Sequence, residues 1–202
     1  MDAPIEGQRR FVSLLFADVC DYTALSESAD PEEIQALRRS FERLASEVIA
    51  RRGGVVSQLY GDGMLAVFGL EGPHEDDARR AVDAALELHE AMRQLPSDRS
   101  WLRDHELRLH TGIHAGVVFS RRGDELHGRY DLTGDAVNTA ARLCGAAGRD
   151  EVLVSRAALR GFEAYFVARE AAPLTLRNKS VPVPAHFVSA RSGLPTSFEA
   201  RT

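Results

Sequence analysis

Two aspartates in unlike surroundings are the residues of this chain best suited to bind a metal ion. Asp18 follows the apolar run Phe11–Ala17, and Asp62 lies between Gly61 and Gly63 with apolar runs on both sides. An apolar run that ends in a carboxylate predicts a buried strand that delivers this carboxylate to the rim of a sheet. An aspartate between two glycines predicts a tight hairpin, because glycine adopts the positive φ that such turns need.

If the two strands are neighbours, both carboxylates lie at the same end of the sheet. Hard divalent cations bind oxygen ligands of this kind, usually together with the phosphates of a substrate. Taken singly, each aspartate also fits a structural role, Asp18 at the start of a helix and Asp62 in an ordinary turn. A further motif is needed to decide between these interpretations.

The composition predicts one globular domain with a full core: 202 residues, 44% hydrophobic and 27% charged. A net charge of −5 gives no general attraction to nucleic acid or acidic lipid. No apolar run approaches the ~20 residues that cross a bilayer, and the N-terminus lacks an apolar signal segment. The two cysteines, Cys20 and Cys144, lie far apart without metal-ligand spacing, so a reduced, cytoplasmic protein is expected.

Hydrophobic periodicity predicts alternating strands and helices between a polar lead-in (residues 1–10) and a tail (residues 189–202). The predicted elements are a strand at Phe11–Val19, a helix from Asp30 to Gly53, a hairpin of Val55–Tyr60 and Met64–Phe68, a helix at Pro73–Leu95, a strand at Leu107–Phe119, a helix at Gly134–Cys144, a strand at Glu151–Val154 and a short helix at Ser155–Arg160. Gly112 and Gly116 interrupt the long strand, where another backbone is expected to approach closely. This order predicts an α+β fold with helices on one face of a sheet.

The segment Tyr130–Leu143 carries the deciding pair of residues. Asn138 and Arg142 are four positions apart, so they share one face of the predicted helix. The residues between them are small and leave room for a ligand. An amide donor beside a guanidinium suits an oxyanion or a transferring phosphoryl group. In isolation, Arg142 also fits a surface ion pair, and Asn138 fits an indifferent helix position.

Several short motifs occur in a fixed order from about Phe11 to Val188. They are Phe16-x-Asp18, Gly61-Asp62-Gly63, Gly112-Ile-His114-x-Gly116, Asp131-x-x-Gly134-x-x-x-Asn138-x-x-x-Arg142-Leu143 and Asn178-Lys-Ser-Val-Pro-Val-Pro184. This ordered set closely resembles the catalytic domain of class III nucleotidyl cyclases, covering residues 11–188. The resemblance implies a ferredoxin-like βααβαβ core with extra C-terminal strands, in which helices pack on one mixed, mainly antiparallel sheet.

The resemblance also implies an activity, the conversion of a nucleoside triphosphate into a 3′,5′-cyclic monophosphate and pyrophosphate. Asp18 and Asp62 would hold two divalent cations, Mg²⁺ or Mn²⁺, with the backbone carbonyl of Val19 as a further ligand. Arg142 would stabilise charge at the α-phosphate, and Asn138 would orient the ribose. Active sites of the family lie at a dimer interface, so the aspartates of one protomer would meet the Asn138/Arg142 pair of its twin in a symmetric homodimer.

Base selection in this family depends on two positions, occupied here by Gln58 and Asp131. Adenylate cyclases typically carry lysine and aspartate there, so Asp131 fits this pattern and Gln58 does not. A carboxylate only accepts hydrogen bonds, so Asp131 favours a base that offers N–H, such as the adenine amino group. ATP is the expected substrate. A pyrimidine triphosphate or GTP is an alternative, as is a non-catalytic nucleotide-binding domain.

Further residues carry predictions of their own. Lys179 is the single lysine among 25 basic residues, and the resemblance places it near a family lysine that contacts the terminal phosphates. Asp21 replaces a usual glycine and is expected to cap the following helix rather than repel phosphate. His110, His114 and His127 are expected to have packing or surface roles.

Overall fold

The computed structural model describes residues 7–95, 106–122, 130–174 and 181–193. The strands are β1 (Gln8–Val19), β2 (Gly54–Tyr60), β3 (Gly63–Phe68), β4 (Leu109–Arg122), β5 (Tyr130–Thr133), β6 (Val152–Ser155), β7 (Phe166–Glu170) and β8 (Ala185–Arg191). The helices are α1 (Tyr22–Ser28), α2 (Pro31–Arg51), α3 (Asp77–Gln94), α4 (Asp135–Ala146) and α5 (Arg156–Leu159). No helix in the described ranges is both long and apolar enough to span a membrane.

One sheet contains all eight strands, in the order β2-β3-β1-β4-β6-β8-β7, with β5 paired to the end of β4. Every pairing is antiparallel except that of β4 with β6. The predicted α+β fold with one mixed, mainly antiparallel sheet is confirmed. β1 and β4 are the central strands, and their register decides which side chains meet at the end of the sheet.

The helices cover both faces of the sheet. In β1, Leu15, Ala17 and Val19 face a core formed with α2 and α3. The alternate residues Val12 and Leu14 face a second core, which includes residues of α4. The expectation that the helices share one face is therefore wrong for α4. The reason is that β1 and β3 are apolar on both faces, and a strand buried on both faces needs cover on both.

The sheet extends beyond the predicted bounds at both ends of the chain. β1 begins at Gln8, inside the predicted lead-in, because its first three residues pair with the end of β4. β8 continues to Arg191, inside the predicted tail, because its end pairs with β7. Arg191 is also anchored, since its Nε donates a hydrogen bond to Asp83 Oδ1 at 2.6 Å.

Candidate active site

Asp18 and Asp62 lie side by side at one end of the sheet, as predicted. Asp18 is the last β1 residue paired with β3, directly opposite Gly63. The backbone N–H of Val19 donates to the carbonyl oxygen of Asp62 at 3.0 Å and also to Asp18 Oδ1 at 3.1 Å. One amide group therefore fixes the end of β1, the hairpin and the Asp18 carboxylate relative to one another.

The glycines around Asp62 have a different role from the predicted one. The hairpin is tight, but neither Gly61 nor Gly63 has a positive φ. A Cβ atom on Gly63 would lie 2.8 Å from Asp18 Oδ1 and 2.9 Å from the carbonyl oxygen of Ala17, whereas one on Gly61 would meet open space. Gly63 is therefore needed because the Asp18 carboxylate occupies the volume that a side chain would fill.

The electrostatics of this pair favour a bound cation. Burial raises the pKa of Asp18, and the neighbouring Asp62 carboxylate raises it further, while His110 and the Val19 amide act in the opposite direction. Like charges side by side disfavour ionisation of both groups unless a cation compensates them. Carboxylate oxygens are the donors that Mg²⁺ and Mn²⁺ prefer, so the residues present fit a divalent cation.

His110 lies against Asp18, which the sequence did not predict. The two residues are opposite each other in the pairing of β1 with β4, and His110 Nε2 is 3.7 Å from Asp18 Oδ2. Its Nδ1 is 2.8 Å from the carbonyl oxygen of Cys144, near the end of α4. The expected packing or surface role is therefore incomplete for His110. His114 bonds to Ser155 Oγ at 2.8 Å, and His127 lies outside the described residues.

Asn138 and Arg142 share one face of α4, as predicted, and this face points away from the sheet. The buried residues of α4 are Ala136, Thr139, Ala140, Leu143 and Cys144. Asn138 is exposed and Arg142 is partly exposed on the opposite side of the helix. α4 lies directly on β4 at Gly112, where a Cβ atom would fall 2.1 Å from the backbone nitrogen of Cys144. The predicted close approach at Gly112 is confirmed.

Within one protomer the structure therefore forms two separate pairs. Asp18 and Asp62 meet at the end of the sheet, while Asn138 and Arg142 project from the far side of α4. Neither Asn138 nor Arg142 forms a hydrogen bond or ion pair with the two aspartates. The two pairs therefore belong to different elements of the protomer, the aspartates to the β1 end and its hairpin, and Asn138 and Arg142 to the outer side of α4.

The two predicted base-selecting positions are brought together within one protomer. The hydroxyl of Ser57 in β2 donates to the carbonyl oxygen of Tyr130 in β5 at 2.8 Å. Gln58 and Asp131 directly follow these two residues along the chain. This contact could not be predicted from the sequence, because β2 and β5 are far apart in the strand order.

Gln58 and Asp131, the two residues predicted to select the base, each have a side-chain partner that the sequence does not indicate. The Tyr60 hydroxyl donates to Gln58 Oε1, and the Tyr60 ring stacks on Phe16 with centroids 6.3 Å apart. Arg121 Nε donates to Asp131 Oδ2 at 2.6 Å. These contacts depend on strand register and hairpin geometry, for which the local sequence offers no signal.

Asp21 occupies the N-cap position of α1, but its side chain makes no capping hydrogen bond, so the capping prediction is wrong. Its φ is 58°, a left-handed conformation that glycine adopts easily and aspartate tolerates, which accounts for the usual glycine. Its carboxylate accepts a hydrogen bond from the Arg149 guanidinium instead. Arg149 thus pairs with the additional acid that follows the end of β1. Lys179 lies outside the described residues.

Comparisons with known proteins agree with this geometry. A family model described as "Adenylate and Guanylate cyclase catalytic domain" matches residues 6–186. Adenylate cyclase 1 of Rhizobium meliloti is 33% identical over 138 residues, which cover 68% of this chain and 21% of the relative. The chain thus spans about a fifth of the length of this curated relative.

Solved structures have the same fold. The guanylyl cyclase Cya2 is 27% identical, with a TM-score of 0.82 and coverage of 93% of this chain and 95% of Cya2. The adenylyl cyclase CyaB from P. aeruginosa has a TM-score of 0.84 at 23% identity, with coverage of 96% and 99%. The order of the motifs, the sheet that positions them and these matches lead to one conclusion: this chain belongs to the adenylate and guanylate cyclase catalytic domain family.

Proposed function

We propose that this protein is a metal-dependent nucleotidyl cyclase that converts a nucleoside triphosphate, ATP in the first place, into the 3′,5′-cyclic monophosphate and pyrophosphate. The observation that carries this proposal is the juxtaposition of Asp18 and Asp62 at the end of the sheet, fixed by the Val19 amide. Two adjacent carboxylates that are both partly exposed to solvent suit the binding of a metal–triphosphate complex.

Asp18, Asp62 and the backbone carbonyl of Val19 are the groups that would hold two Mg²⁺ or Mn²⁺ ions. When bound, the ions would stabilise both the attacking and the leaving oxygens of the phosphoryl transfer. The raised pKa of Asp18 supports this assignment, because burial and the neighbouring Asp62 carboxylate both disfavour the ionised carboxylate, which a bound cation would stabilise.

Asn138 and Arg142 would act on the nucleotide directly. The Arg142 guanidinium would donate hydrogen bonds to oxygens of the α-phosphate, where negative charge grows in the transition state. The Asn138 amide would hold the ribose so that its 3′-hydroxyl faces the α-phosphate. No protein nucleophile is needed, since positioning and electrostatic stabilisation account for the rate in phosphoryl transfer of this type.

A symmetric homodimer with two shared sites is part of the proposal. Its support is that one protomer presents its two aspartates and its Asn138/Arg142 pair on different surfaces. A two-fold axis would bring the aspartates of each protomer to the α4 helix of its partner.

ATP is proposed because Asp131 can accept a hydrogen bond from the adenine amino group. The relative named adenylate cyclase supports this choice. We also propose a cytoplasmic location, where nucleoside triphosphates are available and the free cysteines Cys20 and Cys144 stay reduced.

The decisive experiment is to incubate the purified protein separately with ATP, GTP, CTP and UTP in the presence of Mn²⁺ or Mg²⁺. Each nucleotide product is identified by mass spectrometry, and a chelator control tests the need for metal. We expect cyclic AMP and pyrophosphate in equal amounts. Binding of nucleotide by the folded dimer without any cyclic product would instead identify a non-catalytic domain of the family.

A further inference from the structure

The carboxylate of Asp131 forms an ion pair with the guanidinium of Arg121. The two residues lie directly opposite each other in the β4–β5 hairpin, and Arg121 Nε donates to Asp131 Oδ2 at 2.6 Å. Both side chains keep contact with solvent, with 43% of Arg121 and 21% of Asp131 exposed. A ligand that approaches Asp131 from solvent therefore encounters an ion pair rather than a lone acid.

The strand that carries Asp131 is tied to the strand that carries the other predicted base-selecting residue, Gln58. The bond from Ser57 Oγ to the Tyr130 carbonyl oxygen ties the hairpin to β2, one residue before Asp131 on one strand and one residue before Gln58 on the other. Gln58 and Asp131 thus each lie one residue from the same contact between strands, and Arg121 is bonded to Asp131.

Arg121 changes what the carboxylate can recognise. A lone carboxylate has only acceptors, so it attracts an amino group and repels the carbonyl oxygen of a base. With one oxygen bonded to Arg121, Asp131 offers its other oxygen as an acceptor beside the remaining N–H donors of the guanidinium. A donor next to an acceptor suits a base in which a carbonyl group adjoins a ring N–H.

Guanine and uracil contain this arrangement. The ring N–H would donate to Asp131, and the carbonyl oxygen would accept from Arg121. Arginine also donates to guanine O6 in protein–DNA contacts, there together with N7, which shows that this carbonyl oxygen is a good acceptor for a guanidinium. An adenine amino group beside the same guanidinium would place one donor against another.

We infer that Arg121 and Asp131 together form hydrogen bonds with the base, and that Arg121 shifts the preference of the site from adenine toward guanine or uracil. This inference rests on the proposed function. The ion pair is then a specificity determinant rather than a contact that only stabilises the hairpin. ATP remains a substrate because Asp131 can still accept a hydrogen bond from the adenine amino group. Arg121 reduces the discrimination against bases that carry a carbonyl group beside a ring N–H, here called oxo bases.

The test compares kcat/KM for ATP, GTP and UTP in the wild type and in Arg121→Gln, with Mn²⁺ as the metal. The matched control is Arg122→Gln, which removes the same charge one residue further along β4. We expect Arg121→Gln to lower the GTP:ATP or the UTP:ATP ratio of kcat/KM by about tenfold, the discrimination typical of one good arginine–base contact. The ratio that falls identifies guanine or uracil as the favoured oxo base. Arg122→Gln should leave both ratios unchanged.

Unchanged ratios in Arg121→Gln, or equal shifts in both variants, would overturn the inference and leave a surface ion pair of small energetic value. The dissociation constants of non-hydrolysable ATP, GTP and UTP analogues are measured in parallel, because base recognition shows in binding even without turnover. If no cyclic product forms but the binding ratios shift only in Arg121→Gln, the proposed activity fails while the inference stands. If none of the analogues binds, both fail.

Discussion

Gly63 and Asp18 lie so close together that a single added carbon on Gly63 would fall 2.8 Å from the Asp18 carboxylate oxygen. This contact explains why a glycine follows Asp62, since a larger residue would displace the acid that faces it across the sheet. The hairpin thus contributes a carboxylate and also leaves the space for a second one. Gly61, on the other side of Asp62, meets no such neighbour.

The first prediction concerns these two glycines. Gly63→Ala should displace the Asp18 carboxylate, and a misplacement of about 1 Å in such a site lowers activity by about a hundredfold. Gly61→Ala should change activity little, because its position is open and its φ is not positive. Cyclase assays at increasing Mn²⁺, with thermal unfolding as the control for folding, compare the two variants. Equal loss of activity in both would mean that hairpin flexibility, rather than space for Asp18, is what matters.

Arg142→Ala should reduce kcat by about a hundredfold, as expected when one donor to a charge that develops in the transition state is removed. KM should change much less, because the contact strengthens as the α-phosphate reacts. Steady-state kinetics separates the two parameters. A higher KM with an unchanged kcat would assign Arg142 to substrate binding alone.

Mixing two inactive variants tests the shared site. Asp62→Ala removes a metal ligand but keeps the backbone carbonyl that accepts from Val19, so this variant should fold and be inactive. When it is mixed with Arg142→Ala, half of the dimers at random exchange are heterodimers with one intact site, so about a quarter of wild-type activity should return. Subunit exchange is verified with differently tagged chains. No recovery after verified exchange would show that the aspartates and Arg142 do not serve the same nucleotide.

The packing of α4 on β4 gives a prediction about stability. Gly112→Ala would place a methyl group within 2.5 Å of the backbone of α4 at Ala140 and Cys144, so the free energy of unfolding should fall by about 2 kcal/mol or more. Gly145→Ala, on the same helix with open space around it, should be neutral or stabilise the protein by about 0.5–1 kcal/mol. Urea unfolding measures both. A stable Gly112→Ala protein would imply that α4 can shift, and its activity would then show whether Asn138 and Arg142 shift with it.

The buried His89 makes the free energy of unfolding depend on pH. It is 2% exposed, and its Nδ1 is 3.2 Å from Asp150 Oδ1 and its Nε2 is 2.8 Å from Thr111 Oγ1. Burial lowers the pKa of His89 from 6.5 to about 4, although the Asp150 carboxylate acts in the opposite direction. Between these values the unfolded chain binds more protons, so the free energy of unfolding falls as the pH falls, by about 2 kcal/mol from pH 7 to pH 5.

Denaturant unfolding at several pH values checks this expectation against His89→Gln. The glutamine variant keeps a polar side chain but does not titrate, so its stability should depend less steeply on pH in this window. Parallel curves for the two proteins would mean that other groups cause the loss.

The local sequence predicts those parts of the site that one segment determines. The apolar run before Asp18, the hairpin around Asp62 and the four-residue spacing of Asn138 and Arg142 each specify a local structure, and all three are present. The continuous apolar runs of β1 and β3 also indicate strands that are buried on both faces, and such strands need a helix on each face of the sheet.

The contacts that depend on strand register cannot be predicted from local sequence patterns. His110 meets Asp18, and Arg121 meets Asp131, only because β4 pairs with β1 and β5 in one particular alignment. A shift of one residue would turn each of these side chains to the opposite face of the sheet. The hairpin glycines do not have the positive φ that was expected of them. Within the candidate site, a positive φ occurs at Asp21, where the chain turns from β1 into α1.

His110 has one more consequence for an assembled dimer. Its imidazole touches the carboxylate of Asp18 on one side and the last turn of α4 on the other. In the proposed dimer, Asp18 serves one nucleotide, and α4 of the same protomer serves the other. In that dimer, a single imidazole would contact a metal-binding carboxylate of one catalytic centre and the helix that serves the other.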